Sequence, residues 1–267
     1  MAVPKQATVN VAPHGPETPA RRRGSFFYIG VAIFIMLLSM AGFSPSIADQ
    51  PGRNGPPSLL VIAHGLTVSA WLLLFLTQAI LVRTGRTDVH RRFGVVGLAL
   101  ASLMIVFGYV ALMDFGRRGY DFSGDMMRAI SRNEPARLNP AVVLFPLGEL
   151  VSFGVLVGIG LWHRNRPEIH KRLMLFALVP ISAEPVLHMV GHLSVRWPAL
   201  RGIGARMGVA ATLLLLCVSA IHDRWTRGRI HPVSFWVPVL LFLWQIVLGV
   251  IIFPSAAWRK IVAWLIA

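Results

Sequence analysis

The sequence predicts an all-α integral membrane protein with seven transmembrane helices. Of the 267 residues, 55% are hydrophobic and only 14% are charged, whereas a soluble domain carries about 25% charged residues. The apolar residues occur in runs of about 20, which is the length a helix needs to cross a bilayer. The basic residues cluster between these runs, so the formal charge of +15 is typical of topology signals in loops and does not indicate a nucleic-acid partner.

Seven apolar runs give the predicted helices, which are numbered here as spans 1 to 7. They cover residues 25–44, 58–82, 94–114, 140–162, 173–193, 203–222 and 233–253. Residues 1–24 are rich in Pro, Ala and Thr, and they are predicted to be a disordered tail ahead of a seven-helix domain over 25–253. Span 1 is long and has no small-residue cleavage site after it, so it is interpreted as an uncleaved helix. Residues 254–267 contain Trp258 and Trp264 and are predicted to form a short interfacial segment.

The basic residues predict which side of the membrane each loop occupies. The tail and the turns after spans 2, 4 and 6 together hold 15 of the 26 Lys and Arg residues. The opposite loops are longer and more acidic, and include Asp121, Asp125 and Glu134. Because Lys and Arg are enriched in cytoplasmic loops, the N-terminus is predicted to be cytoplasmic and the C-terminus periplasmic or extracellular.

Two segments match at an offset of 80 residues and predict an internal repeat. Arg86–Arg92 reads RTDVHRR and Arg166–Arg172 reads RPEIHKR, and each joins one apolar run to the next. Spans 2–3 and spans 4–5 are therefore predicted to be two copies of one helical hairpin, related by a pseudo-two-fold axis along the membrane normal. This duplication predicts a four-helix core with spans 1, 6 and 7 outside it, and it places His90 and His170 at the same end. The simplest interpretation of these two histidines is that they are solvated or contact lipid headgroups.

A second group of polar residues lies within the predicted spans. Ionisable groups are costly in lipid, so they usually face a bundle interior or a functional site. Span 5 is also interrupted by Pro180 and Pro185, each of which removes a helical hydrogen bond. Five residues are predicted to converge in one cavity in the outer half of the bilayer: His64, Glu149, Glu184, His188 and His192.

Several short motifs resemble known bacterial families. The helix bearing His64, followed by a basic turn that ends in His90–Gly94 (HRRFG), resembles bacterial multi-pass membrane families of unknown function. The segment His170–Leu175 (HKRLML), with His188 and His192 further along the helix, is similar to a small four-helix family that includes a factor required to mature haem–copper oxidases. The resemblance covers roughly residues 25–195. It implies a bacterial inner-membrane location and histidine-based handling of haem or metal.

The first functional hypothesis is a haem- or metal-binding protein that acts in electron transfer or in the assembly of a respiratory complex. Imidazoles on two facing helices can hold a haem b between them, and such axial ligands tune its potential. His64 with His188 or His192 would form an outer pair, and His90 with His170 an inner pair, which together would give a transmembrane electron path. Zinc, iron or copper is the alternative occupant, held by the five intramembrane residues.

Two other classes of function stay open. An intramembrane zinc hydrolase would use His64, His188 and His192 as three ligands with an open position for water, and Glu149 or Glu184 as general base. The seven-helix count loosely resembles hydrolases of the ceramidase and adiponectin-receptor type, although their accompanying motifs are absent. A cofactor-free transporter, or a structural subunit of a respiratory or other membrane complex, is the further alternative, in which the two glutamates would carry an ion or a proton. In every case the lipid bilayer is the expected surrounding.

Overall fold

A computed structural model of the protein describes residues 19–48, 58–118, 140–200 and 203–266. The described residues form helices and short turns, with no strand among them. The helices are α1 (Pro19–Ala48), α2 (Leu59–Arg83), α3 (Thr87–Arg118), α4 (Pro140–Trp162), α5 (Pro167–Phe176), α6 (Val179–Arg196), α7 (Gly204–Arg227), α8 (Pro232–Ile246) and α9 (Ala256–Ile266). In this part of the chain seven helical segments are long and apolar enough to cross a membrane, which confirms the predicted fold class.

The first helix begins earlier than the sequence predicts. Helix α1 starts at Pro19, so residues 19–24 are helical although they were expected to belong to the tail. Proline is well accepted in the first turn of a helix, and the Ala and Arg residues that follow it are strong helix formers. Residues 1–18 and the loop 119–139, which includes Asp121, Asp125 and Glu134, lie outside the described residues.

The fifth span consists of two helices, α5 and α6, separated by Ala177 and Leu178. The interruption comes just before Pro180, which has no N–H to donate to the carbonyl of Phe176. Both residues of the interruption and Phe176 are fully buried. Irregular backbone at membrane depth is tolerated where protein covers it. The broken helix expected from the two prolines is therefore present, within the bundle interior.

Helix α1 is more central than the repeat alone predicts, because it packs along both α2 and α6. A Cβ atom at Gly42 would lie 2.3 Å from the carbonyl oxygen of Pro185 in α6. The two backbones therefore meet at a point where only glycine fits. Close approach of this kind drives helix association in lipid, where there is little hydrophobic gain.

The main core lies between α1, α2, α3, α4, α5 and α7. Trp71, near the middle of α2, is 2% exposed and packs edge-to-face on Phe153 of α4, with ring centroids 5.2 Å apart. A second apolar cluster covers the other end of α3 and α4, where α9 buries Trp258 and Val262. Trp264 on the same short helix stays 77% exposed. Helix α9 therefore has one face on the bundle and one available to the membrane interface.

Candidate functional site at the turn end

Three short turns, 84–86, 163–166 and 228–231, connect the helices at one end of the bundle, and this end is called the turn end below. Gly85 and Gly228 make two of these turns with φ of 77° and 69°, a left-handed conformation that glycine adopts without strain. The histidine pair and the charge network described next lie within one or two helical turns of this end.

His90 of α3 and His170 of α5 lie side by side at the turn end. Their ring centroids are 6.3 Å apart and their planes are at 79°. The two residues occupy the same position of the repeated motif, 80 residues apart. The prediction that the repeat brings them to one end of the bundle is confirmed.

Hydrogen bonds determine which nitrogen of His170 is available. Its Nδ1 lies 2.7 Å from the carbonyl oxygen of Gly160, and a carbonyl only accepts, so Nδ1 carries the proton. In the neutral imidazole Nε2 of His170 is then unprotonated, and its lone pair is available. A backbone carbonyl behind one ring nitrogen is the usual way in which a ligating histidine is oriented.

Buried polar atoms around His90 have no partner among the described residues. They are Nδ1 of His90 itself and Oε1 of Gln78. Gln78 touches His90 directly, since its amide nitrogen donates to the His90 carbonyl oxygen at 3.2 Å. Unsatisfied buried groups are rare and indicate an unfilled interaction. The inner face of α2 and the start of α3 therefore offer hydrogen-bonding capacity that the described residues do not use.

A buried charge network, which the sequence did not predict, fixes the start of α5. Arg172 is 1% exposed and donates from Nε and Nη2 to the two carboxylate oxygens of Asp223 in α7, which is equally buried. Its Nη1 donates to the side chain of Glu168 at 2.8 Å. Ser234 of α8 donates to Asp223 at 2.6 Å. The network therefore ties α5 to α7 and α8 two residues after His170.

Other contacts extend this network at the turn end. Arg227 and Lys171 both pair with the Glu168 carboxylate. Helix α1 joins through Phe27, whose ring stacks on His222 with centroids 4.0 Å apart. His231 begins α8, where its Nδ1 accepts a hydrogen bond from the Val233 N–H at 3.2 Å. Burial, with the Arg172 charge nearby, lowers the pKa of His231, which favours the neutral form that this cap requires.

The five residues predicted for the outer half of the membrane are distributed over three helices. Glu149 of α4 and Glu184 of α6 are close enough to interact electrostatically. His188 is 2% exposed, with its ring 4.7 Å from that of Phe43 in α1. His64 lies beside Gly108 of α3, since a Cβ there would be 3.8 Å from the imidazole Cε1. His192 is partly buried on α6.

The predicted metal set is not assembled in the structure. The described residues contain no group of three or more His, Cys, Asp or Glu side chains placed to hold a metal ion. This finding covers His64, Glu149, Glu184, His188 and His192 as a single cluster. Glu184, His188 and His192 do lie at intervals of four residues on α6, as predicted. Haem ligation by pairs of these histidines stays a prediction.

No protein-family model, no curated protein and no solved structure matches this chain.

Proposed function

We propose that this multi-pass helical membrane protein binds haem b between His90 and His170 and acts in membrane electron transfer. The observation that carries the proposal is the 6.3 Å separation of the two ring centroids. With metal–imidazole bonds of about 2 Å, and about 1 Å from nitrogen to ring centre, two imidazoles on opposite sides of one metal have centroids about 6 Å apart.

The symmetry of the hairpins supports the same conclusion. Two ligands from equivalent positions of a parallel repeat lie on either side of the pseudo-two-fold axis. Such an axis presents two like imidazoles to one centre. His170 donates a hydrogen bond from Nδ1 to the Gly160 carbonyl, so the lone pair of Nε2 is available for coordination. When bound, the haem would supply a one-electron carrier whose potential depends on its two axial ligands.

The residues of this chain would orient the ligands and exclude water. The Arg172–Asp223 pair fixes the first turns of α5 and thereby the direction of His170. Packing of Trp71 against Phe153 closes the bundle further along α2, so the polar region around His90 does not continue through the core. A site at one end suits exchange of electrons with a partner on that side, such as a subunit of a respiratory complex.

Absorption spectroscopy of the purified full chain tests the proposal. Protein from haem-sufficient cells should show a Soret band and haem at no less than one equivalent. His90→Ala and His170→Ala should each abolish the haem of the turn end. His163→Ala is the matched control, because this partly exposed histidine lies in the turn 163–166 and the hydrogen bonds found for it among the described residues are those of its backbone, from its N–H to Ile159 and from the Arg166 N–H to its carbonyl.

A colourless wild-type protein would overturn the proposal. Stoichiometric zinc in such a preparation, lost when His64 and His192 are replaced by Ala, would instead favour the intramembrane hydrolase. Haem that is retained in both His90→Ala and His170→Ala but lost in His188→Ala would move the site to the outer half of the membrane.

A further inference from the structure

The two halves of the repeat differ in how they orient their histidines. In the second hairpin the Gly160 carbonyl accepts from Nδ1 of His170. The equivalent carbonyl of the first hairpin, 80 residues earlier, belongs to Ile80. That oxygen already accepts from Thr84 twice, from the backbone N–H at 2.9 Å and from the hydroxyl at 3.0 Å. Both of its lone pairs are used, so His90 cannot copy the bond that His170 makes.

Gln78 carries an unused hydrogen-bond acceptor next to His90. Its amide nitrogen already donates to the His90 carbonyl, which holds the side chain against that residue. Within the described part of the chain, Oε1 of Gln78 and Nδ1 of His90 are both buried without a hydrogen-bond partner. One group is an acceptor that needs a donor, and the other is a ring nitrogen that can provide one.

We propose that Gln78 is the positioning residue for His90, with its Oε1 accepting the Nδ1 proton so that Nε2 is presented for coordination. This inference rests on the proposed haem function and adds an orienting hydrogen bond for the second ligand. The Gln78 side chain would orient His90 in the first hairpin, as the Gly160 carbonyl orients His170 in the second. Bonds of this kind fix the tautomer and raise the basicity of a ligating imidazole, and their loss typically costs about 10–100-fold in metal affinity.

Two substitutions at Gln78 separate positioning from a merely structural role. Gln78→Leu removes the observed hydrogen bond to the His90 carbonyl and the proposed hydrogen bond from Nδ1. It should weaken haem binding by about 10–100-fold. Gln78→Glu keeps an acceptor but cannot donate to the His90 carbonyl. If Gln78 positions the ring, the Glu variant should retain haem with a lowered reduction potential, since a stronger acceptor makes the imidazole more basic. If the amide N–H alone matters, the Glu and Leu variants should be equally impaired.

A rescue experiment uses the asymmetry of the repeat. Adding Thr84→Val to Gln78→Leu removes the hydroxyl bond to Ile80 and leaves one lone pair of that carbonyl for His90. Haem affinity should then return towards the wild-type value. Thr84→Val alone is the matched control and should leave the affinity unchanged. The inference would be overturned if the double variant did not recover haem affinity and if all variants that still bind haem had the wild-type reduction potential.

Nitrogen NMR of histidine-labelled, haem-free protein distinguishes this inference from the haem proposal. The Nδ1–H tautomer of His90 should dominate in the wild type and be lost in Gln78→Leu. If the wild type binds no haem but shows this dependence, the proposed function fails while the Gln78 bond stands. If haem binds and the tautomer is indifferent to Gln78, the inference alone fails.

Discussion

Arg172 of α5 and Asp223 of α7 form a two-point ion pair, in which Nε and Nη2 of the guanidinium donate to different oxygens of the carboxylate. Each side chain is 1% exposed. Burying two charges is costly, and further hydrogen bonds compensate for it. Arg172 Nη1 donates to Glu168, and the Ser234 hydroxyl donates to Asp223. Its structural effect is to hold the broken fifth span against α7 and α8.

Removal of one member of this pair should strongly destabilise the protein. Arg172→Leu leaves Asp223 buried without its main partner, and loss of one partner of a buried ion pair costs about 3–5 kcal/mol. Denaturant unfolding in detergent, followed by tryptophan fluorescence, measures the change. Arg224→Ala is the matched control, since this arginine is exposed and its side chain donates to the neighbouring Gly228 carbonyl. It should change stability by less than about 0.5 kcal/mol.

The double variant Arg172→Leu, Asp223→Leu should lose less stability than the two single variants together, because no uncompensated charge remains. Glu168 keeps Lys171 and Arg227 as partners in that variant. Additive losses would show that the two residues act independently, contrary to their geometry.

The close approach of α1 and α6 makes a separate prediction. Gly42→Ala places a methyl group 2.3 Å from the backbone oxygen of Pro185, so the helices must separate. Overpacking of this kind costs about 1–3 kcal/mol. The control is Gly30→Ala in the same helix, where a Cβ meets nothing within 4 Å. Unfolding midpoints should fall for Gly42→Ala and stay equal or rise for Gly30→Ala; equal midpoints in both variants would contradict the packing.

His231 should make stability depend on pH. Its pKa is lowered in the folded protein, so the unfolded chain binds a proton first as the pH falls from the ordinary value of about 6.5. The stabilisation present above that pH is lost on acidification. His231→Asn keeps a good N-cap acceptor for Val233 and does not titrate. Between about pH 7.5 and pH 5.5 the midpoint of thermal unfolding should therefore fall less for the variant than for the wild type. Equal decreases in the two midpoints would show that His231 is not the source of the pH dependence.

The orientation predicted from the basic residues can be tested by cysteine labelling. In a Cys217→Ala background, Thr87→Cys at the turn end should be shielded from an impermeant thiol reagent in intact cells. Ala257→Cys at the start of α9 should be labelled, because it lies at the other end of the bundle. Both residues are exposed in the structure. The opposite labelling pattern would reverse the topology.

Hydropathy and the repeat predicted much of this architecture. Apolar length predicts the seven spans because crossing a bilayer imposes it on the sequence. The 80-residue offset placed His90 and His170 together because equivalent positions of a parallel repeat share an end. Hydropathy alone does not predict that Trp71 is buried against Phe153, because tryptophan is also common at membrane interfaces. Its position near the middle of α2 was the available signal.

The Arg172–Asp223 pair was missed for a different reason. A basic residue at a helix start is usually a topology signal, and Arg172 is one of several such residues. Its partner lies 51 residues away in sequence, so no local spacing indicates the pair. The only hint was an acid, Asp223, adjoining a predicted span, with Ser219 and Ser234 at nearby helical positions. Which of several arginines meets that acid depends on how the helices pack, which periodicity alone does not determine.

Electron paramagnetic resonance of the oxidised, haem-loaded protein tests the central claim most directly. His90 and His170 have ring planes at 79°, and two nearly perpendicular axial imidazoles give ferric haem a highly anisotropic low-spin signal. We expect that signal in the wild type and its loss in His170→Ala, which removes one of the two ligands and with it the haem of the turn end. A rhombic low-spin signal typical of parallel imidazoles, a high-spin signal in the wild type, or no ferric haem signal would contradict it.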